Sequence, residues 1–161
     1  MITQPIKRNE NILRLSREHH FSLLFCWKIK QGLNSETDTE RIINYVRYFS
    51  LNFLLPHFRE EEFFLFPAID DEKVDKAIEQ HKQINNLIGT LALLDNTGSK
   101  KALQRIAELV DEHVRYEERD LFPYMESELS NDQLESIGKK LDEAEALPVK
   151  DEYEDEFWVK K

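Results

Sequence analysis

Two eleven-residue stretches of this chain are near copies of one another. Residues 57–67 are H-F-R-E-E-E-F-F-L-F-P, and residues 113–123 are H-V-R-Y-E-E-R-D-L-F-P. Seven of the eleven positions agree: His57/His113, Arg59/Arg115, Glu61/Glu117, Glu62/Glu118, Leu65/Leu121, Phe66/Phe122 and Pro67/Pro123. In each copy a Glu follows the His by four residues. On a helix that spacing puts both side chains on one face, one turn apart. A neutral imidazole and a carboxylate aimed the same way are half of a metal site. Two such halves, brought face to face, hold two ions, so the fold must set the copies opposite one another.

The rest of the chain supplies helices to do this. Gly (4) and Pro (5) are scarce in 161 residues, and β-branched residues do not alternate, which predicts a single all-α domain. Residues 1–8 form an arm. A first helix runs from about Asn9 to Gln31, with Gly32 as its end. Thr37 and Glu40 have capping-box spacing and open a second helix reaching Phe66. Pro56 lies inside that helix and bends it, and Pro67 marks its exit. A third helix starts at Asp70–Glu72 and continues to Leu94. D-N-T-G-S is a turn, and a fourth helix runs from Ser99 toward Glu128, bent at Pro123. Ser130 and Gln133 cap a short fifth helix ending near Ala146. From Leu147 an acidic tail carries Tyr153, Phe157 and Trp158, which can pack back on the helices. The expected architecture is an up-down-up-down four-helix bundle over residues 9–146, with the short helix included and residues 147–161 as the tail.

Each half also has a His upstream of its repeat. The first half offers His19 or His20, the second His81. These two neighbours sit about 100° apart on a helix, so only one faces the interior. His19 shares its face with Leu15, Leu23 and Cys26, and is the better candidate. The expected ligand set is His19, His57, Glu61, His81, His113 and Glu117, one or more from each long helix. Each ion receives two imidazoles. Glu61 and Glu117 bridge, since two ions so shared sit roughly 3.5–4 Å apart. This donor set suits iron, and also manganese or zinc. Glu62 and Glu118 are rotated off the seam, exposed or paired with Arg59 and Arg115. Cys26 lines the interior as a small apolar residue.

Other chemistries find no support. A net charge of -10 argues against nucleic acid, which needs a basic face. No stretch approaches the roughly 20 apolar residues that span a bilayer, and the first ten residues lack the apolar run of a signal peptide. One cysteine allows no internal disulfide. A soluble, reducing, cytoplasmic setting is therefore expected. There is no H-E-x-x-H, no Glu-x-x-His on a helix, no phosphate loop and no G-x-S-x-G.

Taken together, L-x-x-E-H at Leu15–His19, H-x-x-x-E at His57–Glu61, His81 in E-Q-H-K, and H-x-x-x-E at His113–Glu117 resemble the hemerythrin-like, His-His-Glu cation-binding family over about residues 10–145. The resemblance implies a non-haem di-iron centre with His19 and His57 on one iron, His81 and His113 on the other, and Glu61 and Glu117 between them. Ala77 stands where oxygen-carrying relatives have a fifth His. Those relatives also place the second bridging acid five residues after its His, where this chain has Glu118. A more symmetric four-His site with additional open positions is implied. Its small ligand would be dioxygen, nitric oxide or peroxide. Binding or handling of iron, an enzyme of peroxide or nitric oxide turnover or of iron–sulfur cluster repair, and a metal-free helical interaction module are the three functions open at this point.

Overall fold

A computed structural model describes residues 7–144, 147–148 and 150–159. Every regular element among them is helical. The first rod is α1 (Leu13–Asn34). The second is a continuous helical run from Thr39 to Ala68. It contains α2 (Thr39–Phe49), a π-helical turn at Ser50–Leu54, α3 (Leu55–Glu60), a second π turn at Glu61–Leu65 and a 3₁₀ turn at Phe66–Ala68. The third is α4 (Glu72–Thr90), finished by a 3₁₀ turn at Leu91–Leu93. The fourth joins α5 (Asn96–Tyr116), a π turn at Glu117–Leu121 and α6 (Phe122–Glu128). The short α7 (Asn131–Glu143) follows.

The prolines explain the π turns. Pro56, Pro67 and Pro123 each stand two residues past the last residue of one such turn. A proline within a helix lacks the N–H for its own bond and crowds the carbonyl four residues back. In all three cases that carbonyl belongs to the middle of the π turn. Its i→i+5 bonding opens the helix where the ring needs room. The rods therefore run on through Pro56 and Pro123. After Pro67 the chain leaves the helix, and Ile69 is extended (φ -145°).

Several termini differ from the sequence expectation for local reasons. α1 begins at Leu13, because Asn9–Ile12 form a turn in which the Ile12 N–H bonds Asn9 O. It passes through Gly32 to Asn34. The second rod starts at Thr39 behind Asp38, without a side-chain cap, so Thr37 and Glu40 do not form a capping box. Thr37 N–H instead bonds the carbonyl of Gly32. Asp95 caps α5 by accepting from Gly98 N–H, which turns most of the expected D-N-T-G-S turn into the first helical turn. Asp71 caps α4, and Ser130 with Gln133 forms the full capping box on α7. The expected helix end at Ala146 and most of the arm lie outside the described residues.

Two apolar clusters fill the interior. One contains Phe25, Ile29, Ile42, Tyr45, Phe49, Phe58, Ile84, Ile106, Val110 and Val114. The other contains Ile12, Leu15, Leu65, Phe66, Val74, Ala77, Leu121, Phe122, Met125 and Ile137. Along α1 the order is second cluster, His19, first cluster. It reverses on the second rod (Phe58 before Leu65), reverts on α4 (Val74 before Ile84) and reverses again on the fourth (Val110 before Leu121). The imidazoles and carboxylates therefore form a polar layer between two apolar ones.

Residues 150–159 lie against the first cluster. Phe157 is buried there, and its ring occupies the space a side chain at position 32 would fill. Gly32 is thus a contact surface for Phe157 and does not terminate its helix. Tyr45 makes tilted or edge-on ring contacts with Tyr153, Phe157 and Trp158 and donates its hydroxyl to Asp151. Lys28 reaches the same carboxylate at 3.0 Å and lies over the Trp158 ring.

Candidate metal centre

The helices deliver all six expected residues to one place. Glu61 and Glu117 are fully buried, and His19, His57, His81 and His113 are 1–2% exposed. His20, one step round α1, is exposed. The ligand-type atoms fall into two sets of four. His19, His57, Glu61 and Glu117 make one, and Glu61, His81, His113 and Glu117 the other, with the atoms of each set within 4.8 Å of one another. The two carboxylates belong to both sets.

The four imidazoles share one orientation. Each turns Nε2 inward to the carboxylates. His19 Nε2 is 2.9 Å and His113 Nε2 3.1 Å from Glu117 Oε1. His57 Nε2 is 3.3 Å and His81 Nε2 3.2 Å from Glu61 Oε1. The contacts to Glu61 are close but not along hydrogen-bonding directions. Among the described residues, both Glu61 oxygens, Glu117 Oε2 and His57 Nε2 are buried without a hydrogen-bond partner. Orphaned acceptors of this kind are costly in a protein interior. Here lone pairs of several of them converge on shared points, which is the arrangement a cation satisfies.

Each outward Nδ1 meets an acceptor from a different rod. Glu18 on α1 faces His57 at 2.8 Å. Glu62 on the second rod faces His81 at 3.0 Å. Gln80 on α4 faces His113 at 2.6 Å. Glu118 on the fourth rod faces His19 at 2.8 Å. The support runs from each rod to the next and closes on itself. A proton on Nδ1 leaves Nε2 as the free lone pair, the tautomer a metal requires, and an anionic acceptor makes that lone pair more basic.

Glu62 and Glu118 are therefore off the inner face, as the helical angle predicts, yet they do not pair with Arg59 and Arg115. Arg8 and Ser16 hold Glu118, and Arg115 pairs with Asp111. Sequence spacing assigns no role to Glu18 and Gln80. Their signal was adjacency: each stands immediately before a His of the set, as Glu62 and Glu118 stand immediately after a bridging Glu. The aromatic rings of the repeat also contribute. Phe58 stacks on His81 and Phe122 on His19.

The electrostatics are those of a site with too much negative charge at its centre. Burial, and then the charge of Glu117, push the Glu61 carboxyl well above the usual range. Burial pushes Glu117 the same way, but His113 and His19 outweigh it and hold it well below. The two buried carboxylates are thus pushed in opposite directions. Burial pulls His81 down, but Glu61 and Glu62 outweigh it and carry it to about 9, whereas burial drives His113 down to about 4. The His81 and His113 Nε2 atoms are 3.1 Å apart, within hydrogen-bond distance. Glu118 is pushed up by burial, but its bonds to His19, Ser16 and Arg8 bring it to about 2. Buried carboxylates need a counter-charge. Divalent ions supply that charge, so the donor set fits a metal pair. Each set offers two imidazoles and two carboxylate oxygens, fewer than the six donors iron or manganese prefers.

A family model described as the hemerythrin HHE cation binding domain matches residues 11–125 and, overlapping it, residues 78–156. The first match spans both copies of the repeat and the second takes in the later copy alone. No curated protein matches the chain. No described helix is long and apolar enough to cross a membrane.

Proposed function

The chain belongs to the hemerythrin HHE cation-binding family, and on that premise we propose that its buried cluster holds a carboxylate-bridged pair of metal ions. His19 and His57 serve one ion and His81 and His113 the other, with Glu61 and Glu117 between them. The supporting observation is the sharing of both buried carboxylates by two four-residue sets. Iron suits imidazole with carboxylate, and manganese and zinc suit it too. Coordination positions not taken by the protein are where dioxygen, nitric oxide or peroxide binds. The function is accordingly that of a small-ligand-binding or iron-handling protein.

The chain's own contribution is to hold four imidazoles in the ligating tautomer and keep bulk water away from the carboxylates. It does so from an up-down-up-down bundle, a topology supported by the alternating order of apolar clusters along successive rods. Ala77, at the place of a fifth His, is fully buried among apolar residues and offers no further donor.

Metal analysis tests this directly. Untagged protein supplied anaerobically with ferrous iron, then desalted, should carry two ions per chain. Crystals should show two anomalous peaks at the iron edge beside Glu61 and Glu117. Fewer than one ion per chain overturns the proposal. Exposure of the reduced protein to oxygen should then give a persistent visible absorption band.

A further inference from the structure

The repeat makes the two metal positions nearly equivalent, and one residue breaks the equivalence. The approximate two-fold relation exchanges His19 with His81, His57 with His113, and Glu61 with Glu117. It also exchanges the outer partners Glu118 and Glu62, both carboxylates. The last pair is Glu18 and Gln80, a carboxylate and an amide. Since both ions share the bridging acids and each has two imidazoles, their nearest donors are alike. Any difference between them must come from the outer ring.

We propose that the two positions are unequal, that the His19/His57 position takes the first divalent ion and the His81/His113 position the second, and that Gln80 sets the gap. This rests on the dinuclear reading given above.

Two properties of the amide act in the same direction. It carries no charge, so it attracts a cation through the His113 ring less than a carboxylate does. A carboxylate can only accept, so it locks the proton on Nδ1. An amide can also turn its NH₂ toward Nδ1, which leaves the imidazole proton on Nε2, the wrong atom for ligation. The carboxylates behind the first position are moreover held in place, Glu18 by Arg14 at 3.4 Å and Glu118 by Arg8 at 2.8 Å. Glu62, behind His81, has a side chain 39% exposed.

A separate contact supports the same order. At the first position His57 Nε2 is buried without a hydrogen-bond partner, and His19 Nε2 bonds Glu117 Oε1, an oxygen of a proposed bridging residue, at 2.9 Å. The Nε2 atoms of His81 and His113 instead bond each other at 3.1 Å. That bond must break before either ring can accept an ion.

The test is titration of the metal-free full chain with cobalt(II), followed by calorimetry and by the visible bands of the bound ion. Wild type should bind two ions in separate phases whose affinities differ by about 10-fold or more. Gln80→Glu should tighten the weaker phase about 10-fold and bring the two together. Glu18→Gln should loosen the stronger phase and leave the weaker one in place. His57→Ala should remove the tight phase, and His81→Ala should spare it. Two equal or cooperatively filled sites in wild type, or an unmoved weak phase in Gln80→Glu, would overturn the inference while leaving the dinuclear reading intact. Binding of less than one ion would overturn both.

Discussion

Phe58 lies flat on His81, with ring centroids 3.8 Å apart and planes 13° from parallel. The ring comes from the residue next to His57, so one turn of the second rod carries a ligand candidate and the plate that orients another. Phe58→Ala should cost about 3–5 kcal/mol of stability, the usual range for a buried Phe. Phe58→Leu should cost less but still free the His81 ring. Both variants should lose metal faster than wild type when challenged with a chelator. Unchanged release from Phe58→Leu would show that the stack is packing alone.

Glu61→Gln separates folding from binding. In the metal-free protein, burial and then the charge of Glu117 push the Glu61 carboxyl well above the usual range. An isosteric amide should therefore leave metal-free thermal stability equal or higher. The same change should abolish most of the stabilisation that added iron confers, because metal-binding free energy is folding free energy at such a site. Differential scanning calorimetry with and without iron reads both effects.

His19→Ala should reduce metal content, and His20→Ala should leave it near wild type. The two residues are adjacent, but only His19 is buried against Glu117 and Glu118. A large loss in His20→Ala would reverse the assignment.

Tyr45 predicts an alkaline limit. Burial first, and then Asp151, push its phenol above the ordinary value of 10.0. Above about pH 10 the unfolded chain releases this proton and the folded chain keeps it. The unfolded state then binds fewer protons, so unfolding free energy falls as pH rises, by about 1.4 kcal/mol per pH unit for this group. Below pH 10 both states are protonated and the group contributes no slope. Urea denaturation from pH 9 to 11 should give Tyr45→Phe a shallower decline than wild type, by one proton.

Gly32→Ala sets helix propensity against docking of residues 150–159. Alanine gains about 1 kcal/mol within a helix. Its Cβ, however, would lie 2.6 Å from Phe157 Cε1 and 3.0 Å from Ile42 Cδ1. Displacing Phe157 forfeits about 1.5–3 kcal/mol of burial, so a net loss is expected. Limited proteolysis should cut between 150 and 159 faster in this variant. Phe157→Ala should cancel most of the stability difference between Gly and Ala at position 32.

Much of the site was legible because its residues obey helical spacing. His57 with Glu61, and His113 with Glu117, announce themselves by the i, i+4 rule and by repetition. The outer partners were not, because Glu18 and Gln80 act across rods, and no one-dimensional spacing encodes which rod is next. The start of α5 is hidden in the sequence because Asp95 stands among turn-forming neighbours, while its side chain caps the helix they begin. Gly32 looks like a helix end because its reason, the ring of Phe157, lies more than a hundred positions away. The π turns before the prolines depend on backbone bonding that residue type alone does not specify.

Those turns have a consequence for how a duplicated helix can serve two masters. At 3.6 residues per turn, a row of side chains spaced by four drifts about 40° at each step. Left uncorrected, a row through His57, Glu61 and Leu65 would wind off the interior, and so would its twin through His113, Glu117 and Leu121. The wide turns at Glu61–Leu65 and Glu117–Leu121 take this drift back where it would begin to tell. They act as phase correctors, letting one straight row carry imidazole, acid and leucine in succession, and removing either proline would put that alignment at risk.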